Sequence, residues 1–336
     1  MRRAPVILFC LLVGACAEAY DVTLYVALDE QHSRTMIERF EKESGLRVKT
    51  RFDTEASKTV GLISAIIEEA ERPRCDVFWN NELAHTVRLA QRGLLEPYAS
   101  PSAAGIPARY KDEGKRWTGF AARARILIIN KERIPDPADY PKSIWDLTDP
   151  RWKGRCAVAR PLTGTTLTHF TALHGVLGEK AFARFLDGLL ANDVKLLMSN
   201  GATMRQTASG KLAFALTDTD DFHVALTKGH PVACVFPDQG KEQIGTMLIP
   251  NSVAIVKGGP HPEGARKLVD WILSEQLEAA LAAARSAQIP LRSSVRGPVE
   301  PSILRIGEFK AMSWDPEKTA ARLETMAERF AERLGG

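Results

Sequence analysis

Asp21-Val-Thr-Leu-Tyr-Val-Ala-Leu28, running directly into Asp29-Glu30 and on to Ser44-Gly45, is the stretch that sets the architecture. Its first eight residues are rich in β-branched and aromatic side chains and predict a strand. From Glu30 onward, Met36, Ile37 and Phe40 recur at helical spacing, and Gly45 supplies the stop. The same unit returns twice. Residues 46–52 read as a strand and 57–71 as a helix with Val60, Ile63, Ile66 and Ile67 on one face; 76–79 read as a short buried strand and 82–92 as a helix stopped by Gly93. Strands spaced by helices predict an α/β chain with a parallel sheet, and ligands of such sheets sit beyond the carboxyl ends of the strands. Those ends carry Asp29 and Glu30, then Thr54 and Glu55, then Asn80, Asn81 and Glu82. The same residue types cap helices, and both roles hold at once.

Further on, Trp117-Thr-Gly-Phe-Ala-Ala-Arg-Ala-Arg-Ile-Leu-Ile-Ile-Asn-Lys131 is a long strand with Arg123 and Arg125 inside it. A guanidinium in an apolar run costs several kcal/mol unless paired. Arg123 is therefore expected at a boundary between lobes, against an acid or a bound anion. Residues 156–159 resume a strand, which leads through Arg160-Pro-Leu-Thr-Gly-Thr-Thr166 into a helix ending near Gly175. A strand, a Thr/Gly loop and a helix start make an anion site of Thr163, Gly164, Thr165 and Thr166, with plain N-capping as the alternative. Leu216-Thr-Asp-Thr-Asp-Asp-Phe-His223 then crowds Asp218, Asp220 and Asp221 at the end of another apolar run. Such crowding calls for a metal, an ammonium group, an Arg or a helix N-terminus in compensation. Residues 246–256 form a further strand, 262–274 and 275–285 helices, and 315–334 an amphipathic helix.

The ends place the chain outside the cytoplasm. Arg2 and Arg3 followed by the short apolar run of residues 5–13 read as an export signal covering 1–19. Val13-Gly14-Ala15-Cys16 reads as a lipobox that would leave Cys16 lipidated at the membrane, and Ala17-Glu18-Ala19 as the competing ordinary cleavage site. Cleavage before Cys16 removes two of the 45 Lys and Arg and none of the 41 Asp and Glu, leaving 43 against 41. That balance gives no electrostatic case for nucleic acid. Apart from Cys10 and Cys16, the chain holds Cys75, Cys156 and Cys234, too few for a disulfide framework; if one bridge forms in the oxidising compartment, Cys156–Cys234 is the expected pair. No CxxC motif and no His beside a thiol supports zinc or thiol chemistry.

Seven stretches occur in the order of one family: Tyr25-Val-Ala-Leu-Asp29, Asp76-Val-Phe-Trp79, Gly93-Leu-Leu-Glu-Pro-Tyr98, Trp117-Thr-Gly-Phe-Ala-Ala-Arg123, Asp146-Leu-Thr-Asp-Pro-Arg-Trp-Lys-Gly154, Pro161-Leu-Thr-Gly-Thr165 and Ile249-Pro-Asn-Ser-Val253. Together they resemble the periplasmic solute-binding proteins of ABC importers, in the branch that includes the ferric-ion-binding proteins. The resemblance implies a two-lobe fold with crossing hinge strands and a ligand cleft, a monomer, and the importer's membrane subunits as partners. It implies a first lobe of residues 20–120 with about 246–285, a second of 121–245, and a C-terminal helical segment, 286–336, packed on both. Ferric binders of this branch commonly use two adjacent tyrosines, a His near the first strand, a Glu after the third and a synergistic anion on a Ser/Thr/Gly helix start. Here the tyrosine pair falls at Asp220-Asp221, position 29 is Asp with His32 one turn on, and Glu82 matches the Glu.

Two cargoes fit that pattern. Ferric iron (Fe3+) with its anion would take Glu82, Asp220 and Asp221 as ligands, since carboxylates are hard donors for hard cations. A metal-free zwitterion such as an aminoalkylphosphonate would place ammonium on the aspartates and phosphonate on Thr163 to Thr166. The expected ligand set is Asp29, Glu30, Asn81, Glu82, Arg123, Thr163, Gly164, Thr165, Thr166, Asp218, Asp220 and Asp221. An enzyme is the rival class, with Asp220 and Asp221 as an acid–base pair. Against it, there is no G-x-S-x-G, HExxH or P-loop, and His32, His85, His169, His174 and His223 lack a nucleophile neighbour. A sensor domain on the same lobes is the third reading.

Overall fold

A computed structural model describes residues 20–28, 30–53, 60–296 and 300–334. The export signal, Cys16, Asp29, Thr54 and Glu55 lie outside the described residues, as does the side chain of His32. The first βα repeats form as the periodicity demands: β1 (Val22–Val26), α1 (Glu30–Ser44), β2 (Val48–Phe52), α2 (Val60–Glu68), β3 (Val77–Asn80) and α3 (Leu83–Gln91). β1 sits between β2 and β3 and is parallel to both, so the three carboxyl ends point the same way. After the short β4 (Leu95–Glu96), the chain enters β5 (Thr118–Asn130), all of whose residues are buried.

The second lobe repeats the pattern. Parallel β6 (Cys156–Ala159), β7 (Lys195–Leu197) and β8 (Phe214–Asp218) are linked by α4 (Gly164–Leu177), α5 (Glu179–Ala191) and α6 (Asn200–Ala208), and α7 (Thr219–Thr227) follows β8. β9 (Val232–Val235) then runs beside β5. β10 (Leu248–Val256) returns antiparallel to β3, and α8 (Pro262–Ile272) and α9 (Glu275–Ala283) follow. The sheet order β2-β1-β3-β10-β5-β8-β6-β7 makes β5 the element common to both lobes. Its first half pairs with β10, and from Arg125 onward it pairs with β8 and β9.

β5 can cross because it is apolar on both faces. Phe120, Ala122, Ala124, Ile126 and Ile128 join one hydrophobic cluster, and Leu127 and Ile129 join another that packs beneath α4 and α5. Strand alternation puts Arg123 and Arg125 on the side of Leu127 and Ile129. Ala121 is an extra residue opposite the Pro250/Asn251 junction, a bulge with φ +33°.

Two expectations are corrected. Cys156 and Cys234 are free thiols, because β6 and β9 have β8 and β5 between them. Three strand spacings are about 14 Å, far beyond disulfide reach. Burial pushes the Cys156 thiol up to about 12 and raises Cys234 as well, which leaves both unreactive. Among the described residues from 286 on, helix is confined to α10 (Pro316–Ala320) and α11 (Leu323–Leu334), with a break at Ala321. Before that, Ile289 exchanges two backbone hydrogen bonds with Ala122 beside the bulge. No helix among the described residues is long and apolar enough to cross a membrane.

Candidate functional site

A cleft of about 640 Å³ opens where the carboxyl ends of the second lobe's parallel strands face those of the first. Arg160 and the residues from Thr163 to Thr166 line it from the end of β6, Ser199 and Asn200 from the end of β7, and Asp218, Asp220 and Asp221 from the end of β8. Glu30, Asp53 and Asn81 line it from the first lobe, and Arg123 from β5.

Asp218 is the hub of the second lobe's wall. It is 2% exposed, and its carboxylate accepts from Arg125 Nη1 at 2.7 Å, Thr165 Oγ1 at 2.9 Å and Asn200 Nδ2 at 3.0 Å. Burial alone would raise its pKa, but Arg125 and then Arg123 outweigh that and hold it below the usual carboxylate range. Arg125 is fully buried; its Nε also donates to His169 Nδ1 at 3.4 Å, and its Nη2 to Thr166 Oγ1 at 3.3 Å. Desolvation and then the neighbouring Arg125 keep His169 well below its ordinary pKa and neutral, so its ring nitrogen can accept.

Asp220 and Asp221 are the first acidic residues of α7 and are half-buried on the cleft wall. Arg123 Nη1 reaches Asp220 Oδ2 at 3.3 Å and Asp218 Oδ2 at 3.5 Å, while Nη2 donates to Asn81 O. The guanidinium expected at the lobe boundary is there, and it ties β5 and the first lobe to the aspartates. Asp221 is the acid left over. Burial first, then the charges of Asp220 and Asp218, push its carboxyl up to about 8 despite a 2.6 Å bond from Thr217 Oγ1. Carboxylate oxygens of the three aspartates all lie within 4.8 Å of one another, a spacing that could admit a cation.

The geometry revises the expected site in three ways. Two of the three aspartates already have guanidinium partners, Asp218 in Arg125 and Asp220 in Arg123. Thr165 and Thr166 do not present their hydroxyls to an anion: Thr165 donates to Asp218, and Thr166 to Asn200 Oδ1 at 3.1 Å. What stays open is the start of α4. Thr163, its N-cap residue, makes no side-chain cap bond, and Gly164 at φ +59° has open space where a Cβ would project. Free first-turn N–H groups therefore face the cleft there. The acid cluster and the helix start are neighbours on one lobe, joined by the Thr165–Asp218 bond.

Glu82 is the third revision. It is fully buried and outside the cleft lining, its carboxylate accepting from Ala84 N at 2.6 Å, His85 N at 3.1 Å and Thr168 Oγ1 at 2.7 Å. Its two oxygens are engaged by three donors within the protein; it caps α3 and fastens that helix to α4 of the other lobe. Asn81 contributes its carbonyl through Arg123, and Glu30 lines the cleft while paired with Arg34. None of the chain's five tyrosines is in the lining.

Sequence reasoning noticed Arg125 without assigning it a role, and missed Asn200, Arg160, Arg205, Lys228 and Arg285. The charge of Arg125 inside an apolar run was the available signal. The others look like ordinary surface polar residues until folding brings them to one cavity.

The profile of the family described as bacterial extracellular solute-binding protein matches residues 84–318. Iron uptake protein A1 of Synechocystis is 25% identical over 316 residues, 91% of this chain and 85% of its own length. The major ferric iron-binding protein of Neisseria meningitidis serogroup A is 25% identical over 291 residues, 84% of this chain and 85% of its own. Among solved structures, iron-bound HitA from Pseudomonas aeruginosa superposes with a TM-score of 0.81 at 26% identity, covering 92% of this chain and 98% of that one. AfuA from Actinobacillus pleuropneumoniae, solved with fructose-6-phosphate, gives 0.79 at 20% identity over 93% and 98%, a likeness of fold alone.

Proposed function

Because the chain belongs to the bacterial extracellular solute-binding proteins, we propose that it captures one small charged solute outside the cytoplasm and delivers it to the membrane subunits of an ABC importer. It acts as a binding protein rather than a catalyst. The observation that carries this is the cleft itself, lined from both lobes and bridged by Arg123 on the crossing strand. A solute touching both walls favours the closed arrangement, which is the signal an importer reads.

Two cargo readings stand on separate observations. Ferric iron is what several relatives' names suggest, and the close approach of Asp218, Asp220 and Asp221 gives it a place. Carboxylates must then do without phenolate help. A zwitterion is favoured by Arg123, which already lies against two of the three aspartates and leaves room for hydrogen bonds rather than for a bare metal. Thermal-shift measurements on metal-stripped protein against Fe3+, with and without phosphate, and against short aminoalkylphosphonates test both. A shift with Fe3+ alone that disappears in Asp220→Asn supports iron. A comparable shift from a metal-free zwitterion excludes it, and no shift with any solute ends the capture reading.

A further inference from the structure

The C-terminal segment lies over the joint between the lobes without entering the cleft, whose described lining ends at Arg285. It is first fastened to the connection between β9 and β10. Phe309 and Phe236 have ring centroids 4.8 Å apart, Thr246 N donates to Lys310 O at 2.9 Å, and Met312 N donates to Thr246 O at 2.8 Å. Half-buried Trp314 then touches apolar clusters in both lobes. α10 packs on α3 of the first lobe and α4 of the second, and α11 continues along α4.

The two seats differ in kind. On the second lobe, Leu323, Met326 and Phe330 are buried, and the Phe330 ring centroid stands 5.9 Å from that of Phe170 and 6.0 Å from that of Phe182. Arg329 Nη1 adds a 2.8 Å bond to Glu179 Oε2, and Arg333 pairs with Asp187, both acids on α5. On the first lobe, Ala320 joins the apolar cluster, but the bonds to α3 are polar. Gln91 Nε2 donates to Glu317 Oε2 at 2.6 Å and to Glu317 O at 3.0 Å, while Glu324 pairs with Arg88 and, at 3.7 Å, with Arg92. Glu317 and Glu324 face water, and a hollow of about 190 Å³ stays open beside them. Gln91 lies about 13 Å along α3 from Glu82, where Thr168 of α4 makes its buried bond. A change of angle between the lobes on this side strains one of these two joints. Parting Glu82 from Thr168 takes a donor from a buried carboxylate, a greater loss than opening a pair whose acid faces water. The joint between α3 and α10 gives first.

We propose that α10 and α11 are a strap, fixed to the second lobe and yielding along α3 of the first, whose bonds from Glu317 and Glu324 restrict how far the lobes of the empty protein range. The proposal rests on the two-lobe fold and on neither cargo. A contact kept in only one arrangement biases the equilibrium by its own free energy, about two- to fivefold for a pair of this exposed kind.

Pulsed electron-spin distance measurements on the ligand-free mature protein, labelled at Lys42→Cys on α1 and Arg184→Cys on α5, test it. Gln91→Ala with Glu324→Gln should broaden the distance distribution, populating the region outside the parent's main peak at least about threefold more. Arg333→Gln removes a similar pair within the second lobe and should reproduce the parent. At about 1 M salt, where screening acts over roughly 3 Å, the parent should move part of the way toward the double variant. Superimposed distributions in all three proteins overturn the strap. Equal broadening in Arg333→Gln also overturns it, because loosened helix packing then explains the effect.

Discussion

At the scale of single residues, the site is a problem of three carboxylates solved in three ways. Asp218 is paired with Arg125, Asp220 leans on Arg123, and Asp221 is pushed toward its protonated form. Removing one partner of a buried pair leaves the other uncompensated, so Arg125→Met should cost about 3–5 kcal/mol of stability, read from urea unfolding. A loss below 1 kcal/mol would mean that Arg123, Thr165 and Asn200 suffice for Asp218. Asp221 sets a pH dependence in the neutral range. An unfolded aspartate titrates near 3.9, whereas this one is pushed up to about 8. Between those values the folded chain holds a proton that the unfolded chain has released. The stability contributed is complete below about pH 4, falls as pH rises, and is gone above about 8. Asp218, held low, loses its contribution only as pH falls below the ordinary aspartate value, so the two windows stay apart. Asp220, Asp218 and Thr217 face Asp221 from its own side, and Arg123 faces it from β5. Urea midpoints between pH 5.5 and 8.5 should therefore decline in the parent and stay nearly flat in Asp221→Asn. Parallel curves would show that Asp221 is ionised throughout.

Among the elements, β5 decides how the lobes are joined. Its bulge at Ala121 is clasped from several directions: Ala121 N donates to Glu278 Oε1 at 3.0 Å, and Asn251 Nδ2 donates to Ala121 O at 2.7 Å. Glu278 also accepts from Leu291 N at 2.7 Å and from Arg292 Nη1 at 2.9 Å, in a pair whose side chains are 0% and 1% exposed. A non-glycine residue at φ +33° is costly, and a β-branched one more so. Ala121→Val should thus destabilise by more than 1 kcal/mol, whereas Ala121→Gly stays within about 1 kcal/mol of the parent in the same unfolding assay. The crossing strand itself was legible, because a run of thirteen apolar or paired residues has few other uses. So were the βα repeats, whose periodicities are local. The bulge was not, since nothing in Phe120-Ala121-Ala122 departs from strand composition and its partners come from residues 251–292. For the same reason the cluster of aspartates could be found but not its counter-charges. Arg125 lies 93 residues from Asp218, and only the β5–β8 register brings them together.

For the whole molecule, the polar lining of the cleft is unevenly divided. The second lobe holds the start of α4, Asp220, Asp221, Arg160, Arg205 and Lys228, while the first supplies Glu30, Asp53 and Asn81. A single small anion can therefore be satisfied by one lobe, whereas an organic cargo with a second polar end can reach both. The lobes already share one buried contact away from the cleft, Thr168 of α4 donating to Glu82 at the start of α3, and α10 packs against both helices. Any bound ligand stabilises by mass action, about 2.7 kcal/mol at a hundred times its dissociation constant. Compaction needs differential contact with the closed state. Inorganic phosphate should consequently raise the melting temperature and leave the radius of gyration unchanged in small-angle scattering. The full cargo should raise the one and reduce the other. If phosphate alone compacts the protein, both ends of the recognition lie within reach of a single anion, and the division of labour between the lobes is wrong.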